Sequence, residues 1–419
     1  MILNSTPGAY ATETGGGDGD ARISIRGFNQ RNIAVMLDGI PVNDMENGRV
    51  FWSNWFGLDL VTQTMQVQRG LGASKLSLPS VGGTVNILTK GIDAKRGGSF
   101  RQEVGNDGYL RSTFGLTTGR MENGWGISAA GSYKQGDGWV DGNFTKGYFY
   151  YLRIDKSFGK HTISLQGFGA PQEHGQRPFT EAIGQVDKET AVNQGIRASL
   201  VDSLVLSDKG RRFNEHWGWM REFDDNGVAV DSSVFTTRKN YYHKPQFSLR
   251  HSWQANPKMF WSNVAYLSIG NGGGTAPDGS SSTFPQSSSG QIDFDNVIEA
   301  NQPSIFNADG QANFYIRSSI NNHFWYGYLS TLKTNLSEKL TLSTGIDTRF
   351  YRGDHHREIY DLLGSNFVST GQGNKTVGEK FDYDYSGFVR WFGLFGLLEY
   401  SNEKLSVFAN LSGLSLIHI

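Results

Sequence analysis

The stretch from Asn43 to Phe56 combines carboxylates, amides, a guanidinium and four aromatic rings. Its apolar residues follow neither a helical nor a strand period, so a single buried face does not explain them. Aromatic side chains beside polar groups are favoured where a small molecule is held. The candidate ligand contacts in this stretch are Arg49, Phe51, Trp52 and Trp55. The alternative is that its aromatic residues only pack the segment against a neighbouring part of the protein.

A second aromatic group lies further along the chain. Trp217 and Trp219 flank a glycine, with His216 before them and Arg211 and Arg212 a few residues earlier. Because indole rings stack on sugars and on aromatic ligands, Trp217 and Trp219 are further candidate ligand contacts. Loop residues of this composition also pack against one another, and that alternative stays open.

The histidines and carboxylates do not predict a metal site. His355 and His356 adjoin Asp354 and Glu358, but neighbouring residues on a strand point in opposite directions. We interpret this cluster as part of an exposed polar loop. The glycine-rich segment Gly15 to Asp20 lacks the distal glutamate of a calcium-binding loop.

Motifs of catalysis are absent from the sequence. It contains no His-Glu-x-x-His, no Gly-x-Ser-x-Gly, no phosphate-binding loop and no cysteine. The run Gly272 to Gly274 follows a predicted strand but opens no helix, which a dinucleotide site requires. We therefore expect no catalytic residue, no bound metal and no cofactor. The net charge of −1 gives no field that would attract nucleic acid.

The composition favours a membrane β-barrel over a helical membrane protein. The longest apolar run, Trp391 to Leu398, is far shorter than the ~20 residues of a spanning helix. Mean hydropathy is −0.43 over 419 residues, yet 13% of the residues are aromatic and 54 are glycine. Such enrichment without apolar runs is typical of barrels, in which only alternate residues face lipid.

The N-terminal region predicts a small domain of short strands, each ended by glycine or proline. These strands lie within Ile23–Phe28, Ile33–Pro41, Met65–Gly70 and Val81–Gly91. The nearly continuous apolar run from Ile33 to Leu37 is typical of a strand covered on both faces. Asp38 and Gly39 predict a tight turn after it. We therefore expect a globular domain that is wrapped by something else.

After a linker from Lys90 to Gly98, apolar and polar residues alternate with a period of two. Tyr148, Tyr150 and Leu152, for example, share one face of a predicted strand. We count roughly eleven such segments of about 10 residues, the length that a tilted strand needs to cross a bilayer. In a soluble sandwich the same alternation would point inward.

The connections between these segments alternate between short and long. The short connections lie at Ser157–His161, Ala255–Pro257 and Ser337–Glu338, and the long ones span about Ala170–Asn240, Gly270–Ser319 and Gly353–Lys380. Long loops without regular structure are uncommon in compact domains. Short turns on one side and long loops on the other predict an outer-membrane barrel.

Five short elements in the first ninety or so residues resemble the plug domain of TonB-dependent outer-membrane receptors. They occur in that family's order: the turn Thr6–Gly8, the pairs Arg26–Gly27 and Arg69–Gly70, the turn Asp38–Gly39 and the strand Gly83–Lys90. The chain departs from the pattern at Leu76–Ser80, where the family carries an aromatic–glycine step.

The resemblance implies a mainly β fold: a small α+β plug domain, residues 1–97, followed by an incomplete large antiparallel transmembrane β-barrel, residues 98–419. About half of the ~22 strands of a large plugged barrel would be present. We expect the export signal, the energy-coupling box and an early plug segment to precede Met1. The resemblance also implies that Arg26 and Arg69 lock the plug to carboxylates on the inner barrel wall.

The resemblance further implies energy-coupled import of a scarce nutrient, such as a siderophore, cobalamin, a glycan or a peptide, across a Gram-negative outer membrane. The expected partners are a TonB-type energy-transducing inner-membrane complex, outer-membrane lipids and the small nutrient ligand, with a surface lipoprotein as a further candidate. No nucleic-acid partner is expected.

Two other functions compete with this interpretation. The first is a β-rich surface binding or adhesion protein that transports nothing. The second is a secreted glycoside hydrolase, which would need two carboxyl groups roughly 5–10 Å apart across a groove.

Overall fold

The computed structural model describes residues 5–14, 20–69, 80–179, 182–204, 209–224, 228–280, 283–302 and 309–418. For Arg69 it describes the backbone alone. The predicted features at Asp18, Gly70 and Leu76–Pro79 lie outside these ranges. None of the helices within them is long and apolar enough to cross a membrane.

The N-terminal domain, called the plug below, consists of two small sheets. Its strands are β1 (Ala9–Glu13), β2 (Ala21–Ile25), β3 (Phe28–Asn29), β4 (Ile33–Leu37), β5 (Ile40–Pro41), β6 (Thr62–Arg69) and β7 (Gly83–Thr89), and its helix is α1 (Leu58–Val61). Strands β1, β2 and β3 form an antiparallel sheet, and the second sheet has the order β5-β4-β7-β6. Within it β4 and β7 are parallel, with Ile33 opposite Gly83.

The sequence of β4 explains its central position. Ile33, Val35 and Leu37 on one face and Ala34 on the other are buried, as expected for a strand covered on both faces. The chain then turns through Asp38 and Gly39, at φ of +50° and +81°. Glycine adopts such angles without strain, and aspartate is among the few other residues that tolerate them. The predicted strand and turn are confirmed.

The rest of the chain forms one large antiparallel sheet, called the wall below, with additional elements in its long connections. The elements in chain order are β8 (Gly97–Val104), β9 (Leu110–Thr117), β10 (Trp125–Gly136), β11 (Thr145–Phe158), β12 (His161–Gly169), β13 (Gln172–Gly175), α2 (Ile183–Val186), α3 (Lys188–Asn193), α4 (Ala198–Leu204), β14 (Trp217–Phe223), β15 (Ala229–Thr236), β16 (Lys239–His243), β17 (Gln246–Asn256), β18 (Met259–Gly279), α5 (Phe294–Asn301), β19 (Phe314–Asn335), β20 (Leu340–Asp361), β21 (Val368–Thr370), β22 (Gly373–Lys375), β23 (Lys380–Ser401) and β24 (Ser406–His418).

In the part of the chain that the structure describes, thirteen strands belong to the wall, from β8 at one edge to β24 at the other. Strand β13 continues β12 alongside β11, and β16 and β17 together pair with β18. The wall therefore has eleven successive strands, in agreement with the roughly eleven alternating segments of the sequence. Each pairs antiparallel with its neighbours in chain order.

Alternation along the wall strands separates an apolar outer face from an inner face that is polar in large part. In β11, Tyr148, Tyr150 and Leu152 are exposed, whereas Phe149 and Tyr151 between them are buried against the plug. The buried inward residues of other strands include Ser128, Ser132, Gln166, Gln246, Ser248 and Asp347. This pattern is typical of a membrane barrel with an apolar outer surface and a polar interior.

The plug lies in the concavity of the wall and packs against opposite parts of it. On one side, Trp55 and other plug residues share an apolar cluster with Phe149 and Phe168 of β11 and β12. On the other side, Ile40 and Met45 pack with residues of β18, β19, β20 and β23. Contacts on both sides require the wall to curve around the plug.

The long connections contain more regular structure than the sequence predicts. The expectation of structureless loops is wrong at several places: β18 extends to Gly279, β19 begins at Phe314, and β20 extends to Asp361. These strands of 21 or 22 residues are about twice as long as a bilayer requires. Beyond the bilayer a strand needs only its ladder hydrogen bonds, so polar residues no longer have to alternate with apolar ones and the sequence signal disappears.

Candidate functional site

A cleft opens between the plug and the wall, towards the side of the long connections. We call it the outer cleft; its volume is about 170 Å³. The plug lines it with Asp20, Asp44, Glu46, Asn47, Phe51, Ser53 and Asn54, and the wall lines it with Asn240, Tyr242, Lys244, Gly273, Asn321, His323, Tyr351 and His355. Carboxylates, amides, imidazoles and aromatic rings therefore converge on one concave site, as expected of a small-molecule site.

The plug side of the outer cleft is held in place by a hydrogen-bonded loop. The Asn43 side chain accepts from Val35 N at 2.7 Å and donates to the carbonyl oxygens of Ile33 and Gly48, both at 3.0 Å. Asp44 Oδ1 accepts from the backbone N–H groups of Glu46 and Asn47. Side chains of asparagine and aspartate often fix turns in this way. The loop therefore presents Glu46 to the wall from a rigid base.

Glu46 connects the plug to the wall. Its Oε2 lies 2.8 Å from His355 Nε2 and 3.4 Å from the Tyr351 hydroxyl. The hydrogen bond with His355 lowers the pKa of the Glu46 carboxyl, because it favours the ionised form. Glycines of the wall make room for this carboxylate: a Cβ built on Gly387 would lie 2.4 Å from Glu46 Oε1.

Lys244 is a buried residue of the outer cleft. It is 6% exposed, and its Nζ lies 5.6 Å from the ring centroid of Trp55 and 5.4 Å from that of Trp325. The ammonium is thus held between one aromatic ring of the plug and one of the wall. Across the cleft, Asn54 is 5% exposed.

A second set of polar contacts joins the plug to the middle of the wall. The Asp38 carboxylate accepts from Thr89 N at 2.8 Å, from Thr89 Oγ1 at 2.7 Å and from Gln166 Nε2 at 3.2 Å. The guanidinium of Arg250 donates to the Asp38 carbonyl oxygen. In this contact the arginine belongs to the wall, and the acceptor, a backbone carbonyl oxygen, belongs to the plug.

The four candidate ligand contacts of the plug occupy different environments. Phe51 is exposed and lines the outer cleft. Arg49 is exposed beside a neighbouring depression that Phe51 shares. Trp52 is partly buried against the plug core. Trp55 is 5% exposed, and its ring centroid lies 5.8 Å from that of Phe168 of the wall. The Trp55 ring therefore fills the plug–wall interface.

Trp217 and Trp219 lie together, away from the outer cleft. They are on β14 of the hairpin β14–β15, with their rings 6.1 Å apart and edge to face. Trp217 packs over Gly142 in the connection between β10 and β11, whereas Trp219 is 49% exposed. Arg212 beside them forms an ion pair with Asp107, 2.6 Å away.

The predicted lock residues differ in what the structure says of them. Arg26 is exposed, at φ of +53°, and no carboxylate within the described ranges pairs with it. Arg69 ends β6, and its side chain lies outside the described residues.

The wall residues of the outer cleft were not singled out from the sequence. Alternation places Lys244 on the inner face of the wall, the face opposite to that of Phe247. It cannot show which plug residue a wall residue contacts. His355 and His356 were expected in a loop; instead they belong to β20, and His355 contacts the plug. The available signal was the alternation of side chains along a strand, which places the two adjacent histidines on opposite faces. Among described residues, no three metal-ligating side chains cluster together.

Comparison with known proteins places the first part of the chain in a family. The model of the TonB-dependent Receptor Plug Domain matches residues 1–84. The chain is similar to the vitamin B12 transporter BtuB of Vibrio vulnificus, at 25% identity over 137 residues, which cover 33% of this chain and 22% of BtuB. It is also similar to the ferric enterobactin receptor of Pseudomonas aeruginosa, at 29% identity over 141 residues, or 29% of this chain and 19% of that receptor.

Solved structures share the fold along the whole chain. The unliganded ferric citrate transporter FecA superposes with a TM-score of 0.58 at 16% identity, over 100% of this chain and 56% of FecA. The receptor in the FpvAI–pyocin S2 complex superposes with a TM-score of 0.62 at 14% identity, over 100% of this chain and 48% of that one. The chain thus spans about half the length of these receptors.

The plug match, the related sequences and the shared architecture agree with one another. Residues 1–84 thus match the plug domain of TonB-dependent receptors, and the whole chain shares the fold of these plugged β-barrel receptors of the Gram-negative outer membrane.

Proposed function

We propose that the protein imports a small nutrient ligand across the outer membrane by an energy-coupled rearrangement of the plug, and that the outer cleft binds this ligand first. The observation that carries the proposal is that plug and wall build the cleft together. Glu46 of the plug bonds to His355 of the wall, and Lys244 of the wall lies against Trp55 of the plug. A ligand can shift only an equilibrium whose states it contacts differently, and a ligand here contacts both bodies.

The polar contacts at Asp38 support a plug that can be released. Water can replace the hydrogen bonds that join Asp38 to Gln166 and Arg250, so breaking them costs far less than exposing an apolar core. A TonB-type inner-membrane complex would supply the force on the plug. The lock through Arg26 and Arg69 remains part of the proposal, and the carboxylate that pairs with Arg26 would lie outside the described residues.

The names of the relatives define the candidate cargo. One relative is a vitamin B12 transporter and another is a ferric enterobactin receptor. Cobalamin and ferric siderophores are therefore candidates, beside a glycan and a peptide, and a surface lipoprotein is a candidate partner. Ligand contacts are assigned to Arg49, Phe51, Trp52 and Trp55, with Trp217 and Trp219 meeting a ligand further out. No chemical step is assigned to the protein.

Uptake by cells tests this proposal. A deletion strain and its complemented parent would be compared for uptake of labelled cyanocobalamin, ferric enterobactin, a maltooligosaccharide and a dipeptide, with and without a protonophore. We expect one probe to enter only when the gene is present and the proton gradient is intact. If no uptake depends on the gene while labelled ligand still binds to cells, the surface-binding alternative replaces import.

A further inference from the structure

Two buried polar groups in the outer cleft make no hydrogen bond to any of the residues that the structure describes. Nζ of Lys244 has no acceptor within hydrogen-bond distance among the described residues; the rings of Trp55 and Trp325 lie beside it, and the Asp44 carboxylate attracts it without a hydrogen bond. Asn54 Oδ1 is fully enclosed and has no donor in the same part of the chain. Buried donors and acceptors are nearly always satisfied, because an unpaired one costs free energy.

The two groups are complementary to one kind of ligand. A buried ammonium needs an anionic acceptor, and a buried amide oxygen needs an N–H or O–H donor. Lys244 and Asn54 line the same cavity, so a single ligand group that carries both partners can satisfy both. A carboxylate with an N–H one carbon away, which is the C-terminal residue of a peptide, has this arrangement.

Charge and size narrow the ligand further. Asp20 and Asp44 also line the outer cleft, and their carboxylates repel a ligand with several negative charges. A single carboxylate meets less of this repulsion than several would, and the Lys244 ammonium offsets part of it, whereas the N–H groups of a peptide suit the acidic side. The volume of about 170 Å³ is too small to enclose a whole drug-sized ligand, for which ~300–1,000 Å³ is usual, so the cleft holds one end of a longer molecule.

We infer that the outer cleft binds the free C-terminus of a peptide, with the terminal carboxylate on Lys244 and the terminal N–H on Asn54 Oδ1. This inference rests on the proposed function and names the class of its cargo. Lys244 and Asn54 are then the residues that determine specificity. Phe51 and Tyr242 provide aromatic surface for the terminal side chain.

Calorimetric titration of the receptor, purified from outer membranes in detergent, tests the inference with three probes. These are alanyl-phenylalanine, its C-terminal amide, and the analogue in which an ester oxygen replaces the peptide N–H. We expect the free acid to bind about tenfold or more tightly than the amide, as for the loss of one charge-assisted hydrogen bond. The ester should also bind more weakly than the peptide. If the unmodified receptor bound the free acid and the amide with equal affinity, the inference would be overturned.

Variants assign the effect to the two residues. In Lys244→Met the acid should bind no better than the amide, whereas Lys244→Arg should keep the preference. Asn54→Ala should abolish the difference between peptide and ester. The matched control is Lys134→Met: Lys134 is also a buried inward lysine beside a plug aromatic, with Nζ 4.5 Å from the Phe56 ring centroid, but it does not line the cleft. If Lys134→Met removed the preference as strongly as Lys244→Met does, the assignment would be wrong.

The two proposals fail in different ways. Gene-dependent uptake of cobalamin or a siderophore, together with no binding of any of the three peptide probes, would overturn the peptide inference and leave import intact. Carboxylate-dependent peptide binding, without any uptake that requires the proton gradient, would overturn import and leave the binding chemistry intact.

Discussion

Glu46 Oε2 and His355 Nε2 lie 2.8 Å apart, and their bond crosses the boundary between the plug and the wall. The two residues are 309 positions apart in the sequence. Each side chain is largely enclosed, so solvent screens the pair less than it screens a surface ion pair. This contact closes one side of the outer cleft, and the position of the loop that carries Glu46 depends on it.

Gly387→Ala should weaken this contact. The added Cβ would lie 2.4 Å from Glu46 Oε1, and the carboxylate would have to move away from His355. We expect the loop around Glu46 to lose protection from amide hydrogen exchange corresponding to about 2 kcal/mol, the contribution of a hydrogen bond to a charged group. Gly396→Ala in the same strand is the matched control, because its Cβ would meet nothing within 4 Å. Equal exchange in the two variants would contradict this role of Gly387.

The same contact should weaken in acid. The bond with His355 lowers the pKa of Glu46 below its ordinary value of 4.5. A carboxyl with a lower pKa in the folded state stabilises that state fully above its unfolded pKa, and this contribution disappears as the pH falls through the folded pKa. Exchange protection of the loop, corrected for intrinsic rates, should therefore decrease as the pH falls below about 5. Glu46→Gln should remove this step, and a step that survives in Glu46→Gln would belong to another group.

The plug strands, the turn at Asp38 and the eleven strands of the wall could be predicted from local sequence. Apolar run length, glycine turns and a period of two each depend on residues close together in the chain. The segment Ile33–Leu37 shows this well, because five consecutive residues define both its strand and its burial.

The outer cleft could not be predicted in the same way, because it depends on how the plug is seated in the wall. The alternation of side chains along β17 and the residues before it places Lys244 on the inner face of the wall. This alternation does not show that Trp55 of the plug lies beside Lys244. The aromatic plug segment was found, but its residues divide between cleft and interface: Phe51 lines the cleft, and Trp55 fills the interface. Whether a plug aromatic lines the cleft or fills the interface depends on which part of the wall it contacts.

Asp38→Asn should loosen the plug more than Asp59→Asn does. Asparagine tolerates the positive φ at position 38, so the change mainly removes the charge that accepts from Thr89 and Gln166. We expect a loss of about 2 kcal/mol in the free energy of plug unfolding, measured by protease cleavage in increasing denaturant. Asp59 pairs with Arg111 of the wall at 2.8 Å but is 42% exposed, and such a pair contributes ~1 kcal/mol or less. A larger loss in Asp59→Asn would show that the Asp38 contact does not hold the plug.

The hairpin β14–β15 should become less stable in mildly acidic medium because of His216. Burial, and then the charge of Arg238, lower the pKa of this imidazole to about 4 from an ordinary 6.5. The folded hairpin therefore excludes a proton that the unfolded segment binds below pH 6.5, so stability falls as the pH drops from 6.5 towards 4 and changes little below that. At pH 5 the loss should be about 2 kcal/mol, seen as lower amide-exchange protection, corrected for intrinsic rates, in residues 216–237 than at pH 7.5.

His216→Gln provides the control for that measurement, because glutamine does not titrate. The backbone carbonyl of His216 accepts from Thr237 N at 2.9 Å and from Thr237 Oγ1 at 3.0 Å, and the substitution keeps both bonds. The variant hairpin should then exchange at the same corrected rate at pH 7.5 and at pH 5. A pH-dependent loss of equal size in the variant would exclude His216 as its cause.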